Sequence, residues 1–362
     1  MVPWTPVFVE CVLRGWRCAV ALACLAWSVG AWAVPVREGA PTVVFQAGLA
    51  SDKSVWRAVL NALEPHVATL ALDRPGHGAE PDTQAPRDAC TVAREQRAQL
   101  QRAGVKPPYV LVGHSLGGTY QFAYAKLFPE EVAGLVLVDA TPPGHWVRMQ
   151  AEAPAQAALV KVMRSVAFSA VDRREFDAQA DCFDQLGLDQ PLKVPTKVLV
   201  AGRFRAEEKG AFEAMMLRSR PHWLALTGAT ALEVVWDAGH LIPIDCPEDV
   251  AEAVLALAGQ PEVRIALPAV PAKDALPVAP GATRAQVLER LGQPTETLTA
   301  AEAEVWVYNH RVEVPALLGF LPVVGDAIDL LDWAQRQRHS HEVVVQFDAQ
   351  GVVKRIKRRA LE

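Results

Sequence analysis

The stretch PPYVLVGHSLGGTYQFAYAKLFP, residues 107–129, decides how this chain is read. Tyr109–His114 is a nearly unbroken apolar run, which is what a strand buried on both faces requires. From Leu116 onward the pattern is helical and stops near Pro129. Ser115 stands at the corner, flanked by Gly113 and Gly117. Gly-x-Ser-x-Gly at a strand-to-helix turn projects the hydroxyl above the sheet, and the glycines let neighbouring backbones approach closely. The plainer reading is a small residue in a glycine-rich turn; the strand and helix around it make Ser115 a candidate nucleophile instead. A serine hydroxyl is a poor nucleophile at neutral pH, so it needs a base to take its proton and donors to hold the developing oxyanion. The N–H of Leu116, at the positive end of the helix, is one such donor.

Outward from this corner the same pattern repeats. TVVFQ (42–46), ATLALD (68–73), GLVLVDA (134–140), TKVLVAG (196–202) and LEVVWDA (232–238) are short apolar runs separated by helical stretches such as 87–105. Strand–helix alternation of this kind predicts an α/β architecture, a mostly parallel sheet with helices on both faces. The loop after the first run, Ala47-Gly48-Leu49, supplies Leu49 N–H as the second candidate donor. The base belongs after the last strand, where VVWDAGHLIPIDCPEDVAEAV (234–254) places His240 between a strand and a helix beginning near Pro247. His114, beside the nucleophile, reads as a packed or hydrogen-bonded residue, and His77 lies in the turn DRPGHG (73–78).

A base of this kind needs an acid to orient its ring, and the chain order Ser…acid…His puts it between 116 and 239. The loop after TKVLVAG reads RFRAEEKG (203–210) and has no aspartate. Asp139, at the end of GLVLVDA, emerges on the same sheet edge as Ser115 and is the favoured acid; Glu207 and Glu208 remain alternatives. Asp237, three residues before His240, could be a local hydrogen-bond partner but sits in the same loop and is discounted.

The net charge is −5, and 51% of residues are hydrophobic against 21% charged, which describes a packed globular chain without the footprint of nucleic-acid binding. No spacing points to a cofactor or metal. Arg14 and Arg17 precede the apolar run 18–33, which ends in Ala31-Trp32-Ala33, a small-x-small processing signal. Residues 1–33 are therefore expected to be a signal peptide, with export to the periplasm or beyond; lipidation at Cys24 is the lesser alternative. Export leaves Cys90, Cys182 and Cys246 in an oxidising compartment, enough for one disulfide and one buried thiol whose pairing the spacing does not assign.

After residue 259 the composition shifts. Residues 260–281 are proline-rich and read as a stiff linker. Residues 282–294 then read as a helix with Thr283 and Gln286 as a capping box, 304–310 as a strand and 341–357 as a strand and hairpin, which together make a small α+β unit at 282–362. The basic end KRIKRRALE (354–362) reads as a solvated strand end. The apolar segment 314–333 carries Asp326 and Asp329, which argues against a bilayer span and for packing within its own domain or lying on a surface.

Taken together, FQAGLASDKSVW (45–56), LDRPGHG (72–78), PPYVLVGHSLGG (107–118), PEEVAGLVLVDATPP (129–143) and DAGHLIPIDCPEDVAEAV (237–254) resemble the α/β-hydrolase superfamily over residues 40–258. The resemblance implies a serine hydrolase acting on an acyl or ester small molecule, with Ser115 attacking, His240 shuttling the proton and the N–H groups of Leu49 and Leu116 holding the oxyanion. Serine at 115 argues against the dehalogenase branch, which has aspartate there. Residues 141–195 would form a short helical lid, in which Trp146, Met149 and Phe168 line an acyl site or pack among the helices. The C-terminal unit resembles the small BamE/SmpA-like domain of bacterial envelope proteins, which implies envelope or outer-membrane association.

Overall fold

The computed structural model describes residues 39–205, 208–261, 263, 278–300, 303–309 and 341–360. The expected signal peptide, most of the proline-rich linker, Glu207 and the segment 314–333 lie outside the described residues. Six strands, β1 (Thr42–Gln46), β2 (Thr69–Ala71), β3 (Tyr109–His114), β4 (Val132–Val138), β5 (Thr196–Ala201) and β6 (Leu232–Val235), pair in the order β2-β1-β3-β4-β5-β6. Every pairing is parallel.

Alternation along these strands divides their side chains between two cores. Val43, Phe45, Val110, Val112, Val136 and Val138 point to one face, which α1 (Arg57–Leu63) and α10 (Pro247–Leu257) cover through Val59, Leu63, Val250 and Val254. Val44, Leu111, Leu135 and Leu137 point to the other, covered by α2 (Ala89–Arg102) and α3 (Leu116–Leu127) through Val92, Leu100, Phe122 and Ala123. Burial on both faces is why these strands read as continuous apolar runs.

Between β4 and β5 the chain forms α4 (His145–Glu152), α5 (Pro154–Val166) and α6 (Ala170–Asp177), the expected helical lid. Cys182, just beyond α6, is disulfide-bonded to Cys90 at the start of α2, and Cys246 is free and buried. Helices α7 (Ala211–Ser219) and α8 (His222–Thr227) join β5 to β6, and α9 (Ile242–Asp245) precedes α10.

The C-terminal part is a helix, α11 (Arg284–Leu291), and an antiparallel sheet ordered β10-β9-β8-β7. Its strands are β7 (Glu296–Ala300), β8 (Ala303–Asn309), β9 (His341–Phe347) and β10 (Val353–Ala360). The capping box of Thr283 and Gln286 forms as expected. The strand β7 was not foreseen: ETLTA carries too few apolar residues to announce itself. Among the described residues no helix is long and apolar enough to cross a membrane. The α/β class, with a parallel sheet, a helical lid and a separate small α+β part, is thus what the chain adopts.

Candidate active site

The strand order reverses between β1 and β3, so the loops leaving their carboxyl ends diverge at this point of the sheet edge. Ser115 sits at that point with φ 53° and ψ −124°, a conformation rarely tolerated by a residue with a β-carbon. Glycine is required beside it because a β-carbon on Gly113 would run into the Gly117 carbonyl, and one on Gly117 into the Gln46 and Ala47 carbonyls. The corner is tied down by Ser115 N–H donating to Val138 O at 3.1 Å and by Thr141 N–H donating to Ser115 O at 3.0 Å. Leu116 opens α3, so its N–H has no acceptor within the helix.

His240 lies 3.1 Å from Ser115 Oγ through Nε2 and 2.7 Å from Asp139 Oδ2 through Nδ1. A carboxylate only accepts, so Nδ1 carries the proton and Nε2 is left to accept from the serine hydroxyl. Asp139 is buried, with φ 39°, and also accepts from Arg220 Nη2 at 3.0 Å and from Ala201 N–H at 3.1 Å. Burial alone would raise its pKa. The hydrogen bond from His240 and the nearby charges of His240 and Arg220 outweigh it and hold the carboxyl at about 2. Burial likewise works against charge on His240, yet the hydrogen bond and charge of Asp139 raise its pKa above 6.5. The imidazole side chain is 45% exposed, whereas the Asp139 side chain behind it is 4% exposed.

The loop after β1 is held by a buried ionic network. Arg74 Nη1 donates to Ala47 O at 2.7 Å and Nη2 to Gly48 O at 2.8 Å. In a trans peptide the following N–H points opposite to the carbonyl, so the Gly48 and Leu49 N–H groups face away from Arg74. Arg74 is fixed in turn by a two-pronged pair with Glu175 of the lid helix α6, 2.9 Å on each arm, with His77 at 3.2 Å from the same carboxylate. Burial opposes the charge on Glu175, but Arg74 and His77 together keep its carboxyl at about 2.

The structure therefore brings Ser115, His240 and Asp139 into one relay. Glu208 instead accepts from Arg205 N–H at 2.8 Å, so of the alternative acids it is engaged elsewhere, and Glu207 lies outside the described residues. His114 is buried and donates through Nε2 to the His240 carbonyl at 2.8 Å; burial, first of all, pushes its pKa down to about 3, so it stays neutral. His77 lies in the turn as expected, with its side chain buried in the Arg74 network. Met149 packs with Ala153, Ala157 and with Met215 and Met216 of α7, Trp146 lies partly buried against that cluster, and Phe168 stacks edge-on to Phe176, so all three pack among the helices. Arg220, Arg74 and Glu175 were not anticipated; no local pattern marks an arginine whose partners lie on other elements.

Among the described residues two groups of donor atoms approach metal-ligand spacing, Asp88–Cys90–Cys182 and Asp237–Cys246–Asp249. The sulfurs of the first are spent in the disulfide. In the second, Lys357 and Arg355 already neutralise the carboxylates, and burial together with Asp237 pushes the Cys246 thiol far above its ordinary range.

Residues 41–165 match the family model of the alpha/beta hydrolase fold. The chain is 31% identical over 98 residues to the uncharacterized protein YqjL of Bacillus subtilis, covering 27% of this chain and 39% of that protein. It is 30% identical over 116 residues to 2-(acetamidomethylene)succinate hydrolase of Mesorhizobium japonicum, covering 32% and 41% respectively. The chain thus spans less than half the length of these two curated relatives. A thermophilic esterase from Thermogutta terrifontis, solved with malate bound, is similar at 22% identity and a TM-score of 0.45 over 62% of this chain and 91% of that one.

Proposed function

We propose that this chain is an exported serine hydrolase that cleaves carboxylic esters or related acyl bonds through Ser115, His240 and Asp139. The observation that carries the reading is the continuous relay from Ser115 Oγ through both nitrogens of His240 to the buried Asp139 carboxylate. In this mechanism His240 Nε2 takes the hydroxyl proton as Ser115 Oγ bonds to the acyl carbon. The carbonyl electrons move onto oxygen, where Leu116 N–H and Leu49 N–H donate to the oxyanion. The C–O electrons then collapse back, the leaving alcohol departs with the proton from His240, and an acyl-serine remains. Water, deprotonated by the same nitrogen, attacks that ester and regenerates Ser115. Asp139 stays ionised throughout, holds the productive tautomer and stabilises the imidazolium. Export is supported by the processing signal at 31–33 and by the Cys90–Cys182 pair, since disulfides persist in oxidising compartments.

A fluorophosphonate probe is expected to label the protein at Ser115 and to leave Ser115→Ala unlabelled, with p-nitrophenyl esters of graded chain length turned over by the first and not the second. A wild-type protein that neither labels nor turns over any ester in the panel would instead be a hydrolase shell that binds without catalysis.

A further inference from the structure

We propose that the C-terminal sheet is a positioning element of this site, with Arg355 and Lys357 anchoring the loop that carries His240; the proposal rests on the serine-hydrolase reading above.

The basic end of the chain is not a free solvated strand. In β10, Arg355 pairs with Gln346 of β9 and Lys357 with Val344, and these in turn face Val305 and Val307 of β8. Paired residues in an antiparallel sheet share a face, so the two cations and the three valines lie together. Val305, Val307 and Val344 are buried, with Trp236 packed against them. The opposite face, with Trp306, Val343, Val345 and Phe347, is covered by α11 through Val287 and Leu288. A sheet that only dangled from a linker would have no reason to bury its second face on the residue that opens the His240 loop.

The cations define the contact. Arg355 Nη1 bridges both oxygens of Asp249 at 3.1 and 3.2 Å, and its Nη2 reaches Glu248 at 3.0 Å. Lys357 contacts Glu248 closely and lies 3.4 Å from Asp237. Asp237 precedes His240 by three residues, and Glu248 and Asp249 open α10 directly after the loop, so the cations grip it at both ends. Other contacts brace the loop as well: Cys246 Sγ–H donates to Asp237 at 3.2 Å, Gly239 N–H to Asp245 at 2.9 Å, Arg203 N–H to the Ala238 carbonyl at 3.1 Å, and His114 Nε2–H of β3 to the His240 carbonyl at 2.8 Å. A second contact reaches the neighbouring loop after β5, where Lys209 pairs with Glu296 of β7 at 2.6 Å. Both loops stand at the carboxyl edge of the sheet, where His240 must stay within hydrogen-bonding reach of Ser115 and Asp139 at once. A displacement of about 1 Å in such an arrangement can cost on the order of a hundredfold in rate.

The test uses the full-length chain and its Arg355→Gln/Lys357→Gln double variant. Active sites are counted by the fluorophosphonate burst, and kcat and KM are measured on the p-nitrophenyl ester turned over best. Per active site, the double variant is expected to lose about tenfold or more in kcat, with KM within about twofold, and Lys357→Arg is expected to keep the wild-type kcat. Wild-type kcat per active site in the double variant overturns the proposal, as does a loss confined to the number of active sites. If the double variant does not fold, the single Lys357→Met, read the same way, decides. Failure of the wild-type protein to label overturns the underlying hydrolase reading, a result distinct from normal labelling in both proteins.

Discussion

Asp139 closes β4 with φ 39°, a conformation costing on the order of 1–3 kcal/mol for a residue with a β-carbon. Three donors hold it there: His240 Nδ1, Arg220 Nη2 and Ala201 N–H. The strain turns the carboxylate back across the sheet edge toward a histidine on another loop. Asp139→Asn is expected to lower kcat by about 10³- to 10⁴-fold, because the amide no longer fixes the tautomer that leaves Nε2 free. On the serine-hydrolase reading the base must be neutral to act, so activity is expected to rise with pH as His240 loses its proton, with a pKa that Asp139 holds above 6.5. Removing that charge moves the acid limb of the pH–rate profile to lower pH. Glu208→Gln is expected to stay within a few-fold of wild type; a near-normal Asp139→Asn beside a silent Glu208→Gln would transfer the acid's role. Ser115 was legible because the pattern that creates it spans five consecutive positions. The acid was only narrowed, because nothing within its own segment tells Asp139 which histidine it will meet.

At the scale of elements, the loop after β1 and the lid helix α6 share one buried ion pair, Arg74–Glu175, whose side chains are 2% and 0% exposed. Ion pairs this deep resist dissection, since losing one partner strands the other charge in a medium that solvates it poorly. Glu175→Gln is therefore expected to lower the free energy of unfolding by about 3–5 kcal/mol, read by urea denaturation. It should also slow ester turnover more than the melt alone explains, because Arg74 then holds the Ala47 and Gly48 carbonyls less firmly. A change below 1 kcal/mol would mean that the network is already open to water. The secondary elements themselves were largely readable, since burial on both faces leaves apolar runs and the capping box at Thr283 is a rule over four consecutive residues. The exception, β7, shows the limit: Glu296–Ala300 is strand because β8 offers it a partner, not because its own residues favour burial.

Across the whole molecule, the Cys90–Cys182 bond closes 92 residues of sequence and ties the end of the lid to the first turn of α2. Replacing both cysteines by alanine is expected to lower stability by about 2–4 kcal/mol, seen as an earlier urea midpoint that reductant no longer shifts. An unchanged midpoint would mean that lid packing alone holds that corner.

What the residues determined unaided is local: apolar runs that must become doubly buried strands, a glycine-flanked corner that projects Ser115, a histidine after the last strand, and a hairpin near the C-terminus. Each follows from steric and solvation rules acting over a few neighbouring positions. The disulfide partners, the Asp139–His240 pair, the Arg74–Glu175 pair and the ion pairs of β10 with the His240 loop were decided only by tertiary structure. Their members are far apart along the chain, and loop-closure entropy depends so weakly on length that many pairings stand nearly equal until the order of the strands chooses among them.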